Sequence, residues 1–465
     1  MNDNNSYLEE IKNLNSEDSE VRRSTASSYL YTKLPDELIR PFVALIDDQE
    51  AGVRDIVSSV LSSDGNPAIP NNLVPYVSSE NLFTRNLAGE ILIKIGKPAI
   101  NAMMGYLADG NDDDKKFLID VMGLIGDPEP ISGIIETLEK SNNDNVLLAC
   151  IEALGNIRAD KTVDYLIDSF DKNENFRPTV IEALGKIGSQ KALDFILNNY
   201  IYVDELTKFS MLESIGLIGD EQAFFLVLTD LKNITGPMTW AAIEALKKLR
   251  DKLNIDVPYD ESMKNAILST LVDAEPRFQK AAAGLISVYQ DSEIVDAILK
   301  IFGSDPEIDD EIKVRFFENP AFFYSKIASY LKQKPSNIKP LIEIIKEMIQ
   351  NDGGESIFKM NELELRTLGD VFADNLTNSD EEIRRSVMEL IFFISIETAF
   401  LFLDTMSIDD NIWNRLRLLE ILESLNDERI ISTLVKLSED PEEMVAEKAR
   451  EIANEKGVFN LEKKV

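Results

Sequence analysis

The sequence contains no histidine and a single cysteine, Cys150. Without histidine there is no imidazole base, no Ser-His-Asp or Cys-His catalysis and no histidine pH switch. With one cysteine there is no intramolecular disulfide, and zinc sites built from Cys and His are excluded. Basic residues are also scarce: 48 Lys and Arg face 83 Asp and Glu, a formal net charge of −35. A nucleic-acid surface must neutralise phosphates with Lys and Arg, so this balance argues against nucleic acid, and equally against an anionic membrane surface. No uninterrupted apolar run approaches 18 residues, so no membrane span is expected. The opening "MNDNNSYLEEIKNLNS" has neither a basic region nor an apolar core and does not read as a signal peptide. The expected compartment is therefore cytoplasmic.

What the chain does contain is enough apolar material to fold, 44% of 465 residues, and an internal rhythm. "IEALGNI" begins at Ile151 and "IEALGKI" at Ile181. Related stretches are "GEILIKIG" from Gly89, "IDVMGLIGD" from Ile119, "LESIGLIGD" from Leu212 and "IEALKKLRD" from Ile243. One acidic column runs through them: Glu90, Asp120, Glu152, Glu182, Glu213 and Glu244, at spacings of 30, 32, 30, 31 and 31. Five residues earlier stands a second column, basic at Arg85, Lys115, Arg177 and Lys208. Arg22, Arg54, Arg384 and Arg415 continue it outward, the last two with Glu389 and Glu420. A period of this length, in about a dozen copies, marks a repeat architecture.

Each unit carries two amphipathic helical patterns. Val180, Ile181, Leu184 and Ile187 form one apolar face, and Gly188 is placed to end that helix. Ala192, Leu193, Ile196 and Leu197 form the next face. No sustained alternation suggests a strand. The predicted fold is all-α: an α-solenoid of stacked antiparallel helix pairs, about 30–32 residues per repeat.

The stretches "KKFLIDVMGLIGD", "RPTVIEALGKIG" and "KFSMLESIGLIGD", with the Val-Arg element of "EVRRSTAS", resemble the HEAT-like repeat family. The likeness is to the short bacterial type first noted in phycobilisome bilin lyases. It covers residues 16–250 and 378–456. The expected organisation is 1–250 as regular repeats with an N-terminal cap helix, 251–377 as divergent helical repeats, and 378–465 as repeats with a C-terminal cap. A flexible loop is expected at "NDGGES".

Three candidate chemistries are set aside. Gly123, Gly155, Gly185 and Gly216 lie inside helices rather than before them, so they suit close helix approach and not a phosphate cradle. "DGNDDD" places Asp109, Asn111, Asp113 and Asp120 at EF-hand positions, but Asp114 replaces the required glycine, so a turn with an N-cap is the preferred reading. Cys150 falls on an apolar face and reads as buried and inert.

What remains is a surface. The resemblance implies that the Val-Arg helix lines the concave side of a superhelix. The residue after the basic column and the acidic residue are four apart, hence neighbours on one stripe. Beside the acidic ladder runs Asn86, Lys116, Leu148, Pro178, Phe209 and Trp240, polar at first and then apolar. Leu148, Glu152, Pro178, Glu182, Phe209, Glu213, Trp240 and Glu244 are the candidate partner-binding residues. Whether the acidic ladder pairs internally with the basic column is left open by the sequence. The expected function is a non-catalytic protein–protein interaction scaffold without cofactor, binding a basic or helical protein segment. Alternatives are a bilin-lyase-like chromophore-handling protein or chaperone, and a bacterial signalling adaptor. A DNA-binding relative of the family ranks last, because its concave face should be basic.

Overall fold

In the computed structural model, residues 3–108, 110–286 and 291–457 are described. Among them are 29 α-helices and seven short 3-10 turns, with no strand. The chain forms two compact units, 1–256 and 257–465. Each is an α-solenoid of helix pairs, as the period predicts.

In the first unit one layer contains the helices of the repeated motif. These are α1 (Leu82–Ile95), α2 (Asp112–Ile125), α3 (Asp144–Ile157), α4 (Arg177–Ile187), α5 (Glu205–Ile218) and α6 (Pro237–Leu253). The second layer contains Ile131–Lys140, Val163–Phe170, Gln190–Asn199 and Glu221–Asp230 between them. Local chemistry sets the ends. Asn111, Asn143 and Asp204 each accept a backbone N–H in the first turn of α2, α3 and α5. Gly126 and Gly188 close α2 and α4 in the left-handed conformation. Val180, Ile181 and Leu184 are buried, as are Ala192, Leu193 and Ile196 of the following helix. Ile187 and Leu197 lie at the margin of that core.

The four mid-helix glycines form joints between consecutive helices. A Cβ on Gly123 would lie 2.8 Å from the Cα of Ala153, and one on Gly155 would lie 2.7 Å from that of Ala183. Gly185 meets Ser214 and Gly216 meets Ala245 in the same way. Each glycine thus faces the small residue that follows the acidic column one repeat on. Ser214 adds a hydrogen bond across its joint, 3.1 Å to the carbonyl of Ile181.

The basic column is committed to the turns. Arg22 grips Asp48 with two bonds of 2.6 and 2.8 Å and donates from its third nitrogen to the Ser16 carbonyl. Arg384 repeats this with Asp409 and the Asn378 carbonyl, and Arg415 with Asp440 and the Asp409 carbonyl. Lys208 and Lys264 are shorter versions, paired with Asp230 at 2.7 Å and Asp291 at 3.0 Å. Where the aspartate is absent, the guanidinium stacks on an aromatic ring. Arg54 covers Phe83, Arg85 covers Phe117 and Arg177 covers Phe170.

Two loops show how their turns are held. "NDGGES" is not left open: Asp352 accepts from the N–H groups of Gly354 at 2.8 Å and Ser356 at 3.0 Å, which folds the turn back on its helix. In "DGNDDD", Asp109 lies outside the described residues. Asn111 is the N-cap of α2, as expected, and Asp114 is buried and accepts the Ser78 hydroxyl at 2.8 Å.

Candidate functional site

The two ladders lie side by side along α1 to α6, each acidic residue one turn beyond its partner in the second ladder. Glu152 and Glu182 are exposed, while Glu213 and Glu244 are partly covered. The carboxylates are close enough to act on one another. Burial raises the Glu182 carboxyl above its ordinary value; Lys186 opposes this, and Glu213 and Glu152 reinforce it.

Among the described residues no ion pair joins the basic column to this ladder; its arginines and Lys208 go to the turns or onto aromatic rings. The ends of the acidic ladder are paired within their own helices instead. Glu90 meets Lys94 at 2.6 Å, Asp120 meets Lys116 at 2.7 Å and Glu244 meets Lys248 at 2.8 Å. Glu152 and Glu182, in the middle, make no ion pair within 4 Å among the described residues. Lys186, the residue placed to pair Glu182, donates to Asn156 at 3.0 Å.

The apolar ladder is less open than the sequence suggests. Leu148, Pro178, Phe209 and Trp240 are each partly covered rather than fully exposed. Their stripe continues to both ends of α5 through Leu206 and Leu217, both exposed and both unanticipated. These sit three residues before Phe209 and four after Glu213, a spacing that could have disclosed them. Cys150 is fully buried, and burial pushes its thiol up to about 12, consistent with an inert side chain.

In the second unit the corresponding helices are α7 (Glu381–Ile394), α8 (Ile412–Ser424) and α9 (Glu443–Glu455). Here the acidic column is neutralised. Glu389 holds Lys346 at 2.8 Å and Arg417 at 2.6 Å, and Glu420 also bonds Arg417 at 2.6 Å. Sequence reasoning missed Arg385, Trp413, Leu416 and Met444, which line a groove over these three helices. The signal was present: Trp413 stands two residues before Arg415, and Met444 follows it by 31 residues.

No helix among the described residues is long and apolar enough to cross a membrane. No curated protein matches the chain. Among solved structures it is similar to importin beta crystallised in a polyethylene glycol condition: 11% identity, 98% of this chain, 78% of that chain, TM-score 0.49. It is also similar to importin beta in an ammonium sulfate condition, with 11% identity, 96% and 73% coverage and a TM-score of 0.47. A structure of Kap95p with RanGDP gives 12% identity, 98% and 69% coverage and a TM-score of 0.39. A family model for HEAT repeats matches residues 106–174 and 131–202, the segment holding the joints at Gly123 and Gly155. Residues 106–202 of this chain thus carry HEAT repeats.

Proposed function

We propose that the chain is a non-catalytic interaction scaffold whose α3–α6 stripe receives a basic segment of a partner protein. One observation carries the reading. Glu152 and Glu182 are exposed and lack an ion-pair partner among the described residues, whereas the flanking Glu90, Asp120 and Glu244 each have one. Two adjacent carboxylates left uncompensated, one pushed up first by burial and then by its acidic neighbours, would gain from an incoming cation. Leu148, Pro178, Phe209 and Trp240 alongside supply apolar contact, so an amphipathic helix with Lys or Arg on one edge fits the stripe. The concave orientation of this face follows from the family resemblance. We extend the repeat reading to 251–377 as divergent helix pairs, and place the protein in the cytoplasm.

The test is capture of partners from the parent cell on the intact chain and on a Glu152→Lys, Glu182→Lys double variant. Both positions are at the surface, so helix content should be unchanged and the melting midpoint should not fall. The expected result is a captured protein with a basic amphipathic segment, lost on the variant and weakened by salt. Equal capture by both chains, or a salt-insensitive complex, removes the acidic stripe from the function.

A further inference from the structure

The second unit carries a surface of different character on α7, α8 and α9. Trp413 is 59% exposed and Met444 54% exposed, on adjacent helices at equivalent repeat positions. With Leu416 they line one groove, together with Arg385, Arg417, Lys448 and the carboxylate of Glu420, which is paired with Arg417. Single exposed apolar residues are ordinary, but Trp413 and Met444 sharing one groove with the partly covered Leu416 make a patch.

The cations of the groove differ in how far they are already satisfied. Arg417 is held by Glu389 and Glu420, both at 2.6 Å. Lys448 has Glu423 at 3.1 Å and Glu451 at 3.5 Å. Arg385 has no carboxylate partner among the described residues; its Nε donates to Asn414 at 2.9 Å. Asn414 is itself fixed, being 1% exposed and bonded through Nδ2 to the Glu381 carbonyl at 3.0 Å and to Asp409 at 3.2 Å. A buried amide therefore orients Arg385 by one nitrogen. Its planar fork retains the terminal N–H groups that suit a carboxylate. In a chain of net charge −35 this is a site of opposite preference to the α3–α6 stripe.

We propose that this groove docks a partner segment in which a large apolar side chain lies within two residues of an Asp or Glu. The apolar side chain sits among Trp413, Leu416 and Met444, and the carboxylate bonds Arg385. This surface is independent of the acidic stripe and stands or falls without it.

The test uses the full chain and a displayed library of random dodecapeptides. The informative set is the peptides enriched on the wild-type chain and not on a Trp413→Ala chain, which excludes anything bound by the first unit. That set should carry Asp or Glu within two positions of Leu, Phe, Met or Trp. The chain has only two tryptophans, so Trp240→Phe leaves Trp413 as the sole indole reporter. Amidated synthetic peptides from the set should change its emission on titration. Arg385→Gln should weaken binding at least about tenfold, as should Gln or Asn for the acidic residue of the peptide, because a charge-assisted pair is lost. Arg385→Lys, which keeps the charge but loses the fork, should weaken it less. An empty set, a set of basic peptides, unaltered binding to Arg385→Gln, or dependence on a free peptide C-terminus overturns the proposal.

Discussion

A methyl group on Gly155 would meet the Cα and Cβ of Ala183, both at 2.7 Å. On helix propensity alone Gly→Ala is favourable by about 1 kcal/mol. At this joint the backbone must move, and overpacking costs about 1–3 kcal/mol, so the steric term wins. Gly155→Ala should therefore destabilise the protein. Gly105 lies inside a helix with no heavy atom within 4 Å of such a methyl, so Gly105→Ala should stabilise by about 1 kcal/mol. Thermal melts of the two variants should shift in opposite directions; shifts of the same sign would reject the joint. That these glycines serve close approach was legible in the sequence, because they stand inside helices and not before them. Their partners Ala153, Ala183, Ser214 and Ala245 were not, since the register between helices is set by packing. The same limit hid the partial covering of Phe209 and Trp240.

The turns between helix pairs depend on the basic column, and here the sequence left a choice that side-chain reach decided. Arg22, Arg384 and Arg415 lie within bonding distance of an aspartate 25 or 26 residues on, in the turn before the next repeat. Burial alone would raise the Asp409 carboxyl. Arg384, the Asn411 N–H and Asn414 outweigh it and hold Asp409 below its ordinary value. A carboxyl depressed in the folded state adds stability above its unfolded value of about 3.9, and that stability is lost as pH falls through the folded value. Asp409→Asn should cost about 3 kcal/mol at pH 7, the lower range for leaving one member of a buried pair unmatched. In urea denaturation the difference from the parent chain should shrink steadily below about pH 3.9. A difference that persists undiminished at pH 2 would show that the pair is not its source. In "NDGGES" the glycines signal a turn, but the sequence does not reveal that Asp352 closes it.

At the scale of the molecule, the periodic columns made the all-α architecture legible at once. The groove at Trp413 escaped because it needs side chains from three helices brought together by packing, although Trp413 and Met444 keep the repeat spacing. Charge also acts at this scale. A net charge of −35 repels itself, while the Arg–Asp pairs are partly buried and weakly screened. Sodium chloride between about 0.02 and 0.5 M should therefore raise the melting midpoint, by about 2–4 °C for each kcal/mol of repulsion relieved. A falling midpoint would mean that surface ion pairs outweigh the repulsion. The glycine joints have one further consequence. Between Gly123 and Ala245, α3, α4 and α5 each offer a glycine forward and a small residue backward, so at these joints one helix matches another. A whole repeat could be lost or duplicated there without creating a mismatched neighbour. At α6 the forward position is Lys247, bonded to Asp251 at 2.5 Å, and the interchange stops. At these joints the number of repeats is thus limited by the contacts around the glycines rather than by the glycines themselves, while the last member is fixed.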